Sequence, residues 1–135
     1  MKITMQIPLI PDLSNPKWLI VQQILKIIDS KRSQKIASRL KIQDISIFID
    51  CIKILILADT FEKDHSYVIS EINSNINLKK FIGLKDVPEI DYFYKFISKL
   101  ENNQLNTYFR NIFKISLNNH KKGRRYVIID STSIP

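Results

Sequence analysis

Asp44-Ile45-Ser46-Ile47-Phe48-Ile49-Asp50-Cys51-Ile52-Lys53-Ile54-Leu55-Ile56-Leu57-Ala58-Asp59-Thr60-Phe61-Glu62 decides the fold. Ile45, Phe48, Ile49, Ile52, Leu55 and Ile56 fall on one side of a helix, and Ile47, Ile54 and Leu57 on another. Ser46, Asp50 and Lys53 leave only a narrow polar stripe. A helix that is apolar nearly all round must be surrounded by other elements, so this stretch predicts the central post of a helical bundle. Asp44 is its N-cap, and it runs to about Glu62. Its charges also argue against a membrane span, because they would lie at bilayer depth.

Towards the N-terminus, Ile3, Met5, Ile7 and Leu9 alternate with Lys2, Thr4, Gln6 and Pro8, which is strand periodicity. Asn15 followed by Pro16 opens a helix to about Ser30, with Ile20, Ile24, Ile27 and Ile28 as its stripe and Trp18, Val21 and Leu25 widening it. Lys31-Arg32-Ser33 reads as a basic joint before a short helix with Ile36, Ala37 and Leu40 inside and Lys35 and Arg39 outside. Beyond the post, Ser66 starts a helix with Tyr67, Val68 and Ile72 inward, and Asn73 to Asn77 breaks it. Leu78 to Ile82 ends on Gly83. Glu89 or Asp91 opens a helix through Leu100, and Asn102 or Asn103 a last long one carrying Leu105, Tyr108, Phe109, Ile112, Phe113 and Leu117.

Asn118 to Arg125 is polar and basic with one glycine, which is linker composition, and a domain boundary is placed there. Tyr126 to Ile129 is a continuous aromatic and β-branched run, read as a strand buried on both faces, with Asp130 at its carboxyl end. Chemistry gathers at that end of strands in sheets flanked by helices. The fold expected is mainly α: a compact multi-helix bundle of about six helices over residues 1–117, a basic linker over 118–125, and a short C-terminal strand over 126–135. That strand is expected to pair with residues 2–7 or to stay disordered.

The totals agree with this division. The 135 residues are 44% hydrophobic and 25% charged, as for one globular domain, and hold only two glycines. The net charge of +8 favours an anionic partner. Residues 1–43 carry eight Lys/Arg against two acids, residues 44–110 eight against ten, and residues 111–135 five against one. The surplus therefore lies at the two ends. A lone cysteine, Cys51, excludes an internal disulfide framework and reads as an inert core residue. No secretory signal is expected, since the N-terminus shows no basic region followed by an apolar run and a small-residue cleavage site. A cytoplasmic, nucleoid-associated location is expected.

Ile36-Ala37, Leu40, Ile42 and Ser46-Ile47 match the packing positions of a helix-turn-helix. However, Lys41 stands where such a turn usually has glycine. The second helix would also offer Asp44, Ile45, Phe48 and Ile49 to the major groove, which are poor partners for bases or phosphates. The stretch is therefore read as a core helix beside a short basic one, with Lys31, Arg32, Lys35 and Arg39 facing phosphates. Lys121, Lys122, Arg124 and Arg125, beside His120, form a second basic cluster. His65 and His120 have no Cys or His at ligand spacing, so no structural zinc site is expected.

Three stretches resemble the N-terminal part of a DDE-type insertion-sequence transposase, whose helical front domain precedes a ribonuclease-H-like catalytic domain. Phe81-Ile82-Gly83-Leu84, Val87-Pro88-Glu89 and Tyr92 to Leu100 are similar to that family's glycine-ended helix, proline turn and following helix. Lys53-Ile54-Leu55 to Phe61, with Ser66-Tyr67, resembles its paired front helices. Tyr126 to Ile134 is similar to its first catalytic strand, and the likeness puts Asp130 at the first acid of the triad. It implies DNA transposition in which three carboxylates hold two Mg2+ ions for attack on phosphate. Only Asp130 is present, as a metal ligand of a complete enzyme, so no cofactor and no strand cleavage are expected of this chain alone. The expected function is the DNA-binding front domain of a truncated transposase, grasping the element's ends. The alternatives are a module that dimerises with full-length transposase or with itself as a homodimer, and a decayed remnant without a role. No membrane partner is expected.

Overall fold

The computed structural model describes residues 8–123, with side chains to residue 117. Among the described residues seven helices follow one another: α1 (Pro16–Ile28), α2 (Lys31–Arg39), α3 (Ile45–Phe61), α4 (His65–Ser74), α5 (Ile76–Ile82), α6 (Ile90–Lys99) and α7 (Asn102–Gly123). The architecture is mainly α, a compact bundle built round α3, as the sequence predicts. None of these helices is long and apolar enough to cross a membrane. The expected strands over residues 2–7 and 126–130, and their pairing, lie outside the described residues.

α3 separates two hydrophobic clusters and belongs to both. Cys51, Ile54, Leu57 and Ala58 pack with Trp18, Val21 and Leu25 of α1, Val68 and Ile72 of α4, Leu78 and Ile82 of α5, and Phe93 of α6. Phe48, Ile49 and Ile52 pack with Ile28, Ala37, Ile42 and with Tyr108, Ile112 and Ile115 of α7. The two faces read from the sequence thus meet different neighbours, which is why neither could be spared for solvent. Leu9 is buried in the first cluster, and its N–H donates to Glu71 Oε1 at 3.1 Å.

Local chemistry sets the boundaries. Asn15 Oδ1 accepts the N–H of Lys17 at 2.9 Å, ahead of Pro16. Asp44 Oδ1 accepts the N–H of Ile47 at 3.1 Å. Asn75 ends α4 and starts α5, its Oδ1 accepting the N–H groups of Asn77 and Leu78. This single-residue joint splits what the sequence showed as a longer break.

Four expectations need correction. α1 stops at Ile28 and not at Ser30, because the Ser30 hydroxyl caps the next helix by accepting the N–H of Ser33 at 3.2 Å. Lys31-Arg32-Ser33 is therefore the first turn of α2 and not a joint, and Ser33 is buried. The buried stripe of α1 is Trp18, Val21, Leu25 and Ile28, with Ile20, Ile24 and Ile27 only half-buried. Finally, 118–123, read as linker, continues α7 as helical backbone to Gly123. Lys121 and Lys122 suit that position because cations near a helix C-terminus are favourable.

α2, α3 and α5 end alike. Lys41, Glu62 and Gly83 adopt left-handed conformations with φ of 62°, 53° and 68°. The N–H of the next residue returns to the last turn: Ile42 to Ala37 O, Lys63 to Ala58 O and Leu84 to Lys79 O. This is the Schellman arrangement, in which glycine is the unstrained choice. Lys41 is exposed, so its side chain makes no contact that would be missed. Lys41→Gly is expected to stabilise the fold by about 0.5–1 kcal/mol, the left-handed penalty less the extra entropy of the unfolded glycine. A urea midpoint that stays put or falls would contradict this.

Candidate nucleic-acid interface

α2 lies on the surface, held to α7 at two points. The buried hydroxyls of Ser33 and Tyr108 hydrogen-bond to each other, and Gln104 Nε2 donates to the carbonyl of Leu40 at 2.8 Å. Tyr108 is wholly buried and meets Phe48 edge-on, with ring centroids 4.9 Å apart. Burial, against the hydrogen bond from Ser33, pushes its phenol up to about 12. A neutral hydroxyl pair can be satisfied in a dry interior, where a single one could not.

This docking makes a groove of about 190 Å3 between the two helices, lined by Arg32, Lys35, Ile36 and Arg39 from α2 and by Asn111, Lys114 and Ile115 from α7. Arg32, Lys35 and Arg39 share one side of α2 because they are three and four residues apart. The single ion pair among the described residues joins Lys53 to Asp29, so none of these four cations is neutralised by an acid there. Lys31 and Arg32 also occupy the first turn of α2, where the helix dipole disfavours positive charge. Lys31 and Arg32 are therefore not placed to stabilise the helix that carries them, whereas Arg39 lies in its last turn, where a cation is favourable.

The structure thus unites three of the four α2 residues expected to face phosphates. Lys31 is exposed at the start of α2 but does not line the groove. Lys121 and Lys122 fall on the backbone of α7, seven and eight residues beyond Lys114, about 10–12 Å along the axis. Arg124, Arg125 and Asp130 lie outside the described residues. Lys114 was missed by sequence reasoning. Its signal was present: Arg110, Lys114 and Lys121 recur at intervals of four and seven, but reading 118–125 as linker cut that pattern short.

Of the polar stripe of α3, Ser46 is exposed, but Asp50 and Lys53 are buried. Asp50 is 4% exposed and Lys53 2%. Lys53 Nζ binds Asp29 Oδ1 at 2.9 Å, Asp29 Oδ2 at 3.1 Å and the carbonyl of Gly83 at 3.0 Å, uniting the ends of α1 and α5. A Cβ on Gly83 would come within 3.4 Å of that ammonium. Asp50 accepts the N–H groups of Lys85 and Asp86 at 3.4 and 3.3 Å. One turn of α3 therefore grips the loop after α5 by its carbonyl and its amides together.

Burial raises the Asp50 carboxyl above the ordinary carboxylate value, while the N–H groups of Asp86 and Lys85 and the charge of Lys53 oppose the rise. A carboxyl that holds its proton more tightly when folded stabilises the fold fully below the unfolded value of about 3.9. That stability is lost as the pH rises through the higher folded value. The wild type should therefore gain stability relative to Asp50→Asn as the pH falls from 7 towards 4, read from paired urea midpoints. An increasing deficit in acid would refute the assignment.

A larger groove of about 480 Å3, lined by Leu55, Ile56, Ala58 and Phe109, brings Asp59, Lys63 and His65 together. His65 lies 5.1 Å from the Phe93 ring centroid, and its Nδ1 is 3.3 Å from the Tyr94 hydroxyl. Burial, then the neighbouring Asp50, push the Cys51 thiol up to about 12, so it is not a nucleophile. Among the described residues no group of three or more His, Cys, Asp or Glu could hold a metal ion. No family model, no curated protein and no solved structure matches this chain.

Proposed function

We propose that this chain binds duplex DNA through the groove between α2 and α7, as the helical front domain of a DDE-type transposase. The observation that carries the binding is the alignment of Arg32, Lys35, Arg39 and Lys114 along one groove with no opposing acid among the described residues. Cations so arranged neutralise successive phosphates and release the counterions condensed on DNA. The transposase assignment rests on the resemblance described above. Gly83 ends α5, Pro88 lies in the following loop and α6 comes next, the order of elements that the resemblance implies. By that likeness Asp130 would be the first of three Mg2+-holding acids; the activity proposed for the described residues is DNA binding.

The test is duplex binding, by gel shift or anisotropy, at 50 and 200 mM salt. Four phosphate contacts predict that affinity falls about 150-fold over that range, at a slope of roughly −0.9 per contact. Affinity independent of salt would remove the proposal's basis.

A further inference from the structure

We infer that α2 is the helix that enters the major groove, and that Gln34 and Ser38 read base edges there. This rests on the DNA-binding reading and adds a specificity to it. α3, the reading helix of a helix-turn-helix at this place, is excluded by burial, with nine of its seventeen residues inside the protein. α2 has the opposite character. Only Ser33 and Ala37 of its nine residues are buried, and the exposed ones are Lys31, Arg32, Gln34, Lys35, Ser38 and Arg39. Each of these can donate a hydrogen bond, and none is acidic or apolar.

They divide into two ridges about a third of a turn apart. Arg32, Lys35 and Arg39 face the side shared with Lys114. Gln34 and Ser38, one turn apart, lie on the other side, where Gln34 lines a cleft with Ser46 and Lys85; the two acids of that cleft are engaged, Asp29 by Lys53 and Asp50 by the amides of Lys85 and Asp86. Neither Gln34 nor Ser38 spends its side chain on a hydrogen bond to another described residue, so both retain their full capacity for a ligand. The helix is about 13.5 Å long, comparable with the major groove's width of about 12 Å. Phosphate contacts on one flank would fix register, and the neutral flank would then face the base edges. A glutamine amide pairs in bidentate fashion with adenine N6 and N7, so an A·T pair is the expected target of Gln34. The acid nearest this helix, Asp29 before its N-cap, is matched by Lys53 and does not repel the backbone.

The experiment is selection from a randomised duplex library by the 135-residue chain, compared with Gln34→Ala, Ser38→Ala and Gln34→Arg. The wild type should enrich a motif. Gln34→Ala should erase the preference at one A·T pair by about tenfold or more while leaving the salt slope unchanged, and Gln34→Arg should move that preference to guanine. Binding without sequence preference, or a motif unchanged in all variants, overturns the inference and leaves the DNA-binding proposal standing. Failure of the wild type to bind duplex DNA at low salt overturns both.

Discussion

Replacing Arg32, Lys35 and Arg39 together by alanine should weaken binding to duplex DNA about 500-fold at 0.1 M salt. Each phosphate contact contributes roughly 0.9 to the log–log salt slope, so three remove about 2.7, and 0.1 M lies one decade below the 1 M reference. The three side chains are exposed and unpaired among the described residues, so the urea midpoint should change little or rise slightly as like charges are removed from α2. Net charge must be held apart from placement. Lys80→Ala, Lys95→Ala and Lys99→Ala remove the same three charges from exposed positions on α5 and α6. That variant should retain most of the affinity. Equal losses in the two triple variants would mean that the whole field of the protein attracts DNA, and the groove would have no special part.

The largest effect on stability is expected at Lys53. Lys53→Ala should destabilise the fold by about 3–5 kcal/mol, a large part of a typical domain's total. Several costs combine. The carbonyl of Gly83 loses its donor, Asp50 loses the nearest positive charge, and the buried stem leaves a cavity. One circumstance moderates the loss: the Asp29 side chain is 53% exposed and can turn to water. Lys53→Met retains the stem and removes the charge, so it should cost distinctly less, and the difference between the two variants separates packing from pairing. Asp29→Ala leaves the ammonium buried on a single carbonyl and should also be costly, by about 3 kcal/mol. Combining Asp29→Asn with Lys53→Met should cost less than the sum of the two, since the pair is then absent from both sides. These values follow from urea midpoints, with an unchanged slope as the check on two-state unfolding. A loss below about 1 kcal/mol for Lys53→Ala would mean that this contact is not the tie between α1, α3 and α5 that its geometry implies.

Lys53 also bears on the groove. It neutralises Asp29, which precedes the N-cap of α2. Where folding survives its loss, the freed carboxylate would lie at the base of the basic helix and lower DNA affinity.

Much of this architecture was legible residue by residue. The two apolar faces of α3, the Asn15-Pro16 and Asp44 starts, and the glycine end at Gly83 depend on groups within a few residues of one another. A cap is satisfied inside its own first turn, and a helical stripe repeats every three or four positions. Those signals survive without any knowledge of neighbours, so they determined a mainly helical bundle and its central post. Where two local signals competed, the reading failed: Ser30 could end α1 or start α2, and its hydroxyl decided for the latter by reaching Ser33.

Tertiary structure alone decided which polar residues are wet. Ser46, Asp50 and Lys53 share one stripe, yet Ser46 is exposed while Asp50 and Lys53 are buried, and no local rule makes that distinction. The outcome turned on backbone groups thirty or more residues away, the carbonyl of Gly83 and the amides of Lys85 and Asp86, which satisfy the buried charges. The groove arose in the same way. Arg32 and Lys114 lie more than eighty residues apart in the chain, and they line one groove because a buried hydroxyl pair, Ser33 with Tyr108, holds α2 against α7. Composition and periodicity decide that a side chain needs a partner. Only the fold decides which distant group is near enough to be one.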